Sequence, residues 1–344
     1  MSRARKMAVS LIVSAVLLAV VVYLAGARET AKAAWEAGLP AFLTVGAILF
    51  VLMAFQAAAW AALERKTGHR VPYRTLLAAT IVAMAGNILT PSTHLGGEPG
   101  KILYAGRKTG ISYTELAGTV LLCKYIEAMS FVLFLGFGTA AAVAGFHSVL
   151  FHPPYLVLGM TIVILAAAAL GLGAVLWVSL SRKWTPLTAM VGLAARMRIR
   201  PAFFENLRER SLRMEGQASR MFREEGHAVV PAFFWYLMTH VAMFARPLAF
   251  FLLGWQIRLN LAELGLIFLT SQVLLAVQLM PSGVGTLDGG LLAVVAIAGI
   301  GITVPQCTAF LLCLRFWDAV VVTTGVLLAA RTGMGLFRQN GVVQ

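Results

Sequence analysis

Charge is scarce in this chain: of 344 residues only 12% are Asp, Glu, Lys or Arg, against about a quarter in an ordinary soluble domain. Cysteine is scarcer still. Cys123, Cys307 and Cys313 all lie inside apolar stretches and are odd in number, which excludes a disulfide framework and reads as buried small apolar residues. A Gly-rich phosphate loop, a His-Glu-x-x-His pair and a nucleophile elbow are all missing. His94 and Glu98 stand four apart without a further ligand nearby, so neither a metal nor a cofactor is expected. What abounds is apolar: 60% of the chain. A soluble enzyme, a secreted disulfide scaffold and a disordered binder are excluded, leaving a polytopic membrane protein.

Six apolar runs reach the ~20 residues that cross a bilayer as helix: 7–26, 39–62, 113–145, 154–180, 228–253 and 305–330. The first is longer than the ~7–15 residues of a signal-peptide core and reads as an uncleaved span. Two further apolar segments, 73–90 and 264–280, run into breakers, Thr90-Pro91-Ser92 with Gly96-Gly97 and Pro281-Ser282-Gly283 with Gly285. Broken helix at membrane depth is tolerated only where protein or water covers the freed backbone. If both segments are re-entrant hairpins and the N-terminus is inside, 21 of the 28 Lys and Arg residues gather on the cytoplasmic side and three outside. A full crossing at 73–90 would expose the ten-cation loop 181–227 to the outside. The positive-inside bias therefore favours hairpins, and places both termini in the cytoplasm of a cell with its chain in the inner membrane. It also accounts for the net charge of +14 without a nucleic-acid partner. Within the loop, Phe204, Leu207, Met214, Ala218, Met221 and Phe222 recur at helical spacing, predicting an amphipathic helix on the cytoplasmic interface.

Self-comparison reveals a duplication. Pro91 precedes Glu98 by seven residues, and Pro281 precedes Asp288 by the same spacing. Downstream, Gly110-Ile111-Ser112 precedes Lys124 and Glu127 as Gly301-Ile302-Thr303 precedes Arg315 and Asp318. The copies cover approximately 73–145 and 264–332 of a single membrane domain, 1–344. Three spans separate the hairpins, so the two enter from opposite sides as an inverted repeat, the arrangement of many secondary transporters. The fold class expected is all-α, with six full spans and two re-entrant hairpins.

Eight charges remain inside the membrane: Lys101, Lys124, Arg246 and Arg315 against Glu98, Glu127, Asp288 and Asp318. Each would cost ~2.5–3.5 kcal/mol unpaired at the bilayer centre, so they must face one another or a wet cavity. Helix N-termini near Gly97-Glu98 and Thr286-Asp288 suit a phosphate. Thr90, Gly96, Gly97, Ser282, Gly283 and Gly285 on the hairpin tips complete a candidate substrate site with the eight charges. Two plainer readings stand beside it: ion pairs that staple the repeats, and acids that only cap their helices. Asn87, Gln272 and Gln278 are polar at depth and read as partners in the hairpin network.

These stretches resemble the lysylphosphatidylglycerol synthase transmembrane, or flippase-like, family: Asn87 through Pro99, Thr109 to Glu127, and Pro281 through Asp318. The resemblance implies a multi-span domain that moves an amino-acylated or other anionic lipid between leaflets. Lys101 and Lys124 stand where the family has Arg, and Lys cannot give bidentate phosphate contacts, so substrate identity does not carry over. No aminoacyl-transferase sequence follows span 305–330 before Gln344, so a complete lipid-aminoacylating synthase is not expected. Three readings follow: a lipid translocator that is not an enzyme, with a membrane lipid as its partner; a membrane anchor or accessory subunit for a soluble synthase, engaged through 181–227; and an integral-membrane lipid transferase with Glu98 or Asp288 as general base.

Overall fold

Ten helices carry the fold in the computed structural model, which describes residues 16, 19–90, 96–153, 156–182, 185, 188–189, 191–192, 201–224, 226–276 and 283–333. They are α1 (Ala27–Glu64), α2 (Tyr73–Leu89), α3 (Glu98–Thr109), α4 (Tyr113–Leu150) and α5 (Leu156–Ser181), then α6 (Pro201–Glu224), α7 (Gly226–Trp255), α8 (Leu261–Ala276), α9 (Thr286–Ala298) and α10 (Val304–Arg331). Among the described residues there is no strand.

Five helices are long and apolar enough to cross a bilayer: α1, α4, Gly159–Val178 within α5, α7 and α10. They correspond to five of the six expected spans; the sixth, 7–26, falls largely outside the described residues. Local chemistry sets their limits. In α1 the helix breaks at Gly38 (φ 75°, ψ 169°), just ahead of Pro40, where the apolar run 39–62 begins. Near its end α4 breaks at Phe146 (φ −121°, ψ 19°). Ser112 and Thr303 cap α4 and α10, each hydroxyl accepting from the N–H three residues on. Large apolar side chains face outward, Ile164 at 60% exposure and Leu133 and Trp177 at 56%, a surface that suits hydrocarbon rather than water as solvent.

The breaker segments fold into two helix pairs, α2 with α3 and α8 with α9. None of the four limbs exceeds 17 residues, about 25 Å of helix. Both limbs of the first pair meet one end of the bundle: His69, ahead of α2, lies 3.9 Å from Glu115 at the start of α4. At the far end of α3, Arg107 donates to the Thr332 carbonyl at the close of α10 (3.1 Å). The second pair opens from the other end. There Ala262 of α8 meets Gly145 of α4, and Ile300 and Ile302 beyond α9 share an apolar cluster with Leu150 and Leu259.

Two large apolar cores result, one around each pair, with a small third cluster of Leu49, Leu52, Met53 and Val321 between α1 and α10. Trp60, Leu76, Val82, Leu116 and Tyr236 belong to the first, and Phe134, Phe250, Phe268, Leu291 and Phe310 to the second. α1, α4 and α7 thread both. The crossings are reciprocal: α4 packs along α8 where Gly138 meets Gly265, and α10 packs along α2 where Gly325 meets Ala85 and the Ile81 carbonyl. Small residues at such contacts let backbones approach closely.

Gly97 makes the tightest turn contact. Its N–H donates to Asn87 Oδ1 (2.8 Å), which gives the N-terminus of α3 an acceptor from α2, and a Cβ there would overlap the Ala83 carbonyl. The expected outcome of Gly97→Ala is a loss of about 1–3 kcal/mol through overpacking, read as a lower thermal midpoint in detergent. An unchanged midpoint would mean that these limbs do not pack as described.

α6 departs from the sequence expectation of a helix simply lying on the interface. Glu215 on its inner face is buried and accepts from Tyr125 Oη (3.1 Å), Thr188 N (2.9 Å) and Thr188 Oγ1 (2.6 Å). Gln217 donates to the Glu115 carbonyl (3.4 Å), and Phe222 meets Trp177 edge-on at 5.5 Å. Polar partners thus fasten α6 to α4 and to Thr188 beyond α5, and a ring contact joins it to α5. Periodicity registers a helix's apolar stripe but not where its inward acids find donors.

Candidate functional site

Each helix pair delivers an acid to a span that follows it. Beside the first pair, Lys124 Nζ of α4 bridges Glu98 Oε1 of α3 (2.7 Å) and Glu127 Oε2 one turn on (2.8 Å). Beside the second, Arg315 of α10 bridges Asp288 Oδ1 of α9 through Nη2 (2.7 Å) and reaches Asp318 Oδ2 through Nη1 (3.5 Å). Acid, cation and second acid occur in the same order at both helix pairs.

The likeness has limits. Asp288 caps α9, its Oδ2 accepting from the Gly285 N–H at 2.9 Å. Glu98 is the first residue of α3 and turns to Lys124 instead, leaving Oε2 shielded without a hydrogen-bond partner. The expectation that both acids cap their helices holds for Asp288 alone, because Asn87 serves the Gly97 N–H. Nor are the matched glycines equivalent. Gly110 is the left-handed cap of α3 (φ 75°), whereas Gly299 (φ 64°), not Gly301, closes α9.

The sequence expectation of one electrostatic junction is corrected by the geometry, which makes two neighbouring clusters. The first borders a polar chamber of about 20 Å³, room for one water, lined by Gln56, Thr80, Asn87, Lys101 and Tyr236 besides the ion triad. Lys101 is 4% exposed, and its ammonium lies 4.6 Å over the Trp60 ring, a cation–π contact. The second cluster borders a cavity of about 170 Å³. Leu52, Phe244, Ile267, Phe268 and Phe310 wall it, and Arg246, Arg315, Asp318 and Gln272 bring polarity. Met84 and Asn87 border both spaces.

Arg246 belongs to α7 and enters neither triad. Its Nε is shielded and lacks a hydrogen-bond partner; Asp318 attracts it and Arg315 opposes it. Pro247 follows within the helix and has no N–H to return to the Met243 carbonyl. Gln272 of α8 donates to Met243 Sδ (3.5 Å).

The remaining sequence candidates serve geometry. Thr90 closes α2, its hydroxyl donating to the Gly86 carbonyl (2.8 Å). Gly97 against Gly86 and Ala83 lets the limbs of the first pair touch, with the Gly96 carbonyl facing Gly86, while Gly283 (φ 66°) and Gly285 (φ 85°) take backbone conformations that favour glycine. Ser282 and Gln278 lie outside the described residues. Besides Glu215, a second buried acid escapes the sequence reading: Glu64, 2% exposed, accepts from Trp60 Nε1 (2.9 Å) and Thr119 Oγ1 (2.5 Å). It sits two residues past an apolar run and so counts as loop. A Trp four residues upstream is the signal that finds it.

The family described as the lysylphosphatidylglycerol synthase TM region matches residues 7–325, nearly the whole chain. This chain belongs to that family. A UPF0104 membrane protein of Methanothermobacter thermautotrophicus is 27% identical over 128 residues, 37% of this chain. The match spans about 38% of that relative's length. No solved structure matches the chain. Membership agrees with the all-helical bundle and its apolar exterior, and it makes the two ion triads parts of a multi-pass membrane protein.

Proposed function

We propose that this member of the synthase transmembrane family is a carrier rather than an enzyme, moving an anionic, phosphate-bearing or modified lipid between leaflets. In this reading α2–α3 and α8–α9 are re-entrant hairpins of an inverted repeat, dipping from opposite faces of the inner membrane with the basic end in the cytoplasm. The observation that carries it is the cavity of about 170 Å³ beside Arg246 and Arg315, with apolar walls, cationic nitrogen at one side and the Arg246 Nε without a hydrogen-bond partner. Desolvated Arg without a full set of acceptors is a place prepared for a phosphate. The headgroup passes the polar groups bordered by Met84 and Asn87 while acyl chains stay in lipid.

The test is reconstitution in liposomes with a headgroup-labelled anionic phospholipid and a membrane-impermeant quencher. Expected is a quenchable fraction that rises above the one-leaflet limit with protein and not without it. Equal rates with and without protein overturn the carrier reading, and conversion of the lipid to a new product by the pure chain replaces it with the transferase one.

A further inference from the structure

We propose that a groove at the basic end of the bundle, apart from the inner cavity, binds an anionic glycerophospholipid by its headgroup and upper acyl chain. Two adjoining hollows form it, of about 310 and 620 Å³, which share Ala61, Arg65 and Tyr73. The smaller runs between the end of α1 and the start of α7 over Ala58, Ala62, Ala228, Pro231 and Trp235. The larger lies under the turn from α1 to α2 and carries Arg65, His69 and Arg70. None of the residues lining either hollow lines the Arg246 cavity.

Chemistry divides along this groove as it does along a lipid. The slot is made of methyl groups, a proline ring and an indole on the flank of two spans. Beyond the span ends it opens into a cationic bowl, with Lys66 and His227 on the rim of the slot. Its walls are held: Trp235 stacks on Phe55 at 5.4 Å, and Tyr73 Oη donates to the Ala54 carbonyl (2.8 Å). Trp and Tyr are the side chains that sit at the headgroup level of a bilayer. The one acid in the bowl is turned inward, since both Glu64 oxygens already accept, Oε1 from Trp60 and Thr119 and Oε2 from Thr67 (3.2 Å). Glu115, 3.9 Å from His69 but outside the lining, offsets part of the charge, and Arg65, Lys66 and Arg70 leave the groove net positive toward the headgroup plane. A soluble phosphate would fill the bowl and leave the slot unused, which is why the occupant is a lipid.

Tryptophan quenching by brominated lipid tests this on the full chain in phosphatidylcholine vesicles. With seven Trp in the chain, the difference between wild type and Trp235→Phe isolates the groove. Dibrominated phosphatidylglycerol is expected to quench that difference signal at lower mole fraction than dibrominated phosphatidylcholine. The preference should fall roughly fivefold for each cation removed in Arg65→Gln and Arg70→Gln, as attraction of about 1 kcal/mol per basic residue at an anionic surface requires. Equal quenching by the two lipids, or a preference untouched in the double variant, overturns the proposal. So does displacement by millimolar glycerol phosphate, which would assign the bowl to a soluble ligand. The measurement is at equilibrium and needs no translocation, so a failure of the carrier reading leaves it standing.

Discussion

Arg315→Met should be the most destabilising single change in the membrane core, lowering unfolding free energy by about 3–5 kcal/mol. Asp288 is fully buried and has two charge-compensating contacts, the Arg315 guanidinium at 2.7 Å and the Gly285 N–H at 2.9 Å. Removing the arginine strands an ionised carboxylate where no water can reach it, and that desolvation is the cost. The double variant Asp288→Asn with Arg315→Met removes both charges yet keeps an oxygen to cap α9. It should regain more than half of the loss, since a buried ion pair contributes little beyond neutralising itself. Lys124→Met is the internal control. Its triad is more exposed, with Glu98 at 13% and Glu127 at 21%, so the stranded acids keep some hydration and the loss should be smaller. Thermal unfolding in one detergent measures all three. Equal losses at Lys124 and Arg315 would refute burial as the source of the difference, and no recovery in the double variant would refute the stranded carboxylate as the cost.

Arg246→Met should have the opposite profile: transport down tenfold or more, with the thermal midpoint unchanged or raised. A charge-assisted hydrogen bond to phosphate contributes about 1.5–3 kcal/mol, and each 1.4 kcal/mol is tenfold. In the empty protein the same side chain is a liability, with a shielded Nε that has no partner, and apolar replacement of buried charge is often neutral or stabilising. Asp318 does not lose its charge partner, because Arg315 stays 3.5 Å away. The vesicle assay and an unfolding curve on the same preparation decide it. Transport at the wild-type rate would remove Arg246 from the path, and a large fall in the midpoint would make it a structural arginine.

The two changes separate roles that composition alone cannot. Both arginines border the same cavity, yet Arg315 neutralises two aspartates while Arg246 enters neither triad. A transport defect in Arg246→Met without loss of fold would point to the cavity as the place where headgroups are met.

Much of this protein was legible before any coordinates. Membrane class, five spans in place, the two short broken segments and the pairing of two of the four cations with an acid three residues on all follow from local signals: apolar run length, Pro and Gly at membrane depth, and the i, i+3 spacing that puts Lys124 beside Glu127 and Arg315 beside Asp318. Such features depend on neighbours along one helix, and sequence records neighbours faithfully. What tertiary structure alone decided is how charges on different helices are shared. It sent Glu98 to Lys124 and left the cap of α3 to Asn87, set Lys101 over Trp60, divided eight charges between two clusters, and buried Glu64 and Glu215 against donors 55 and 27 or 90 residues away. Partner choice across helices depends on which side chains arrive first at hydrogen-bond distance once backbones pack through glycine, and no periodicity encodes that distance.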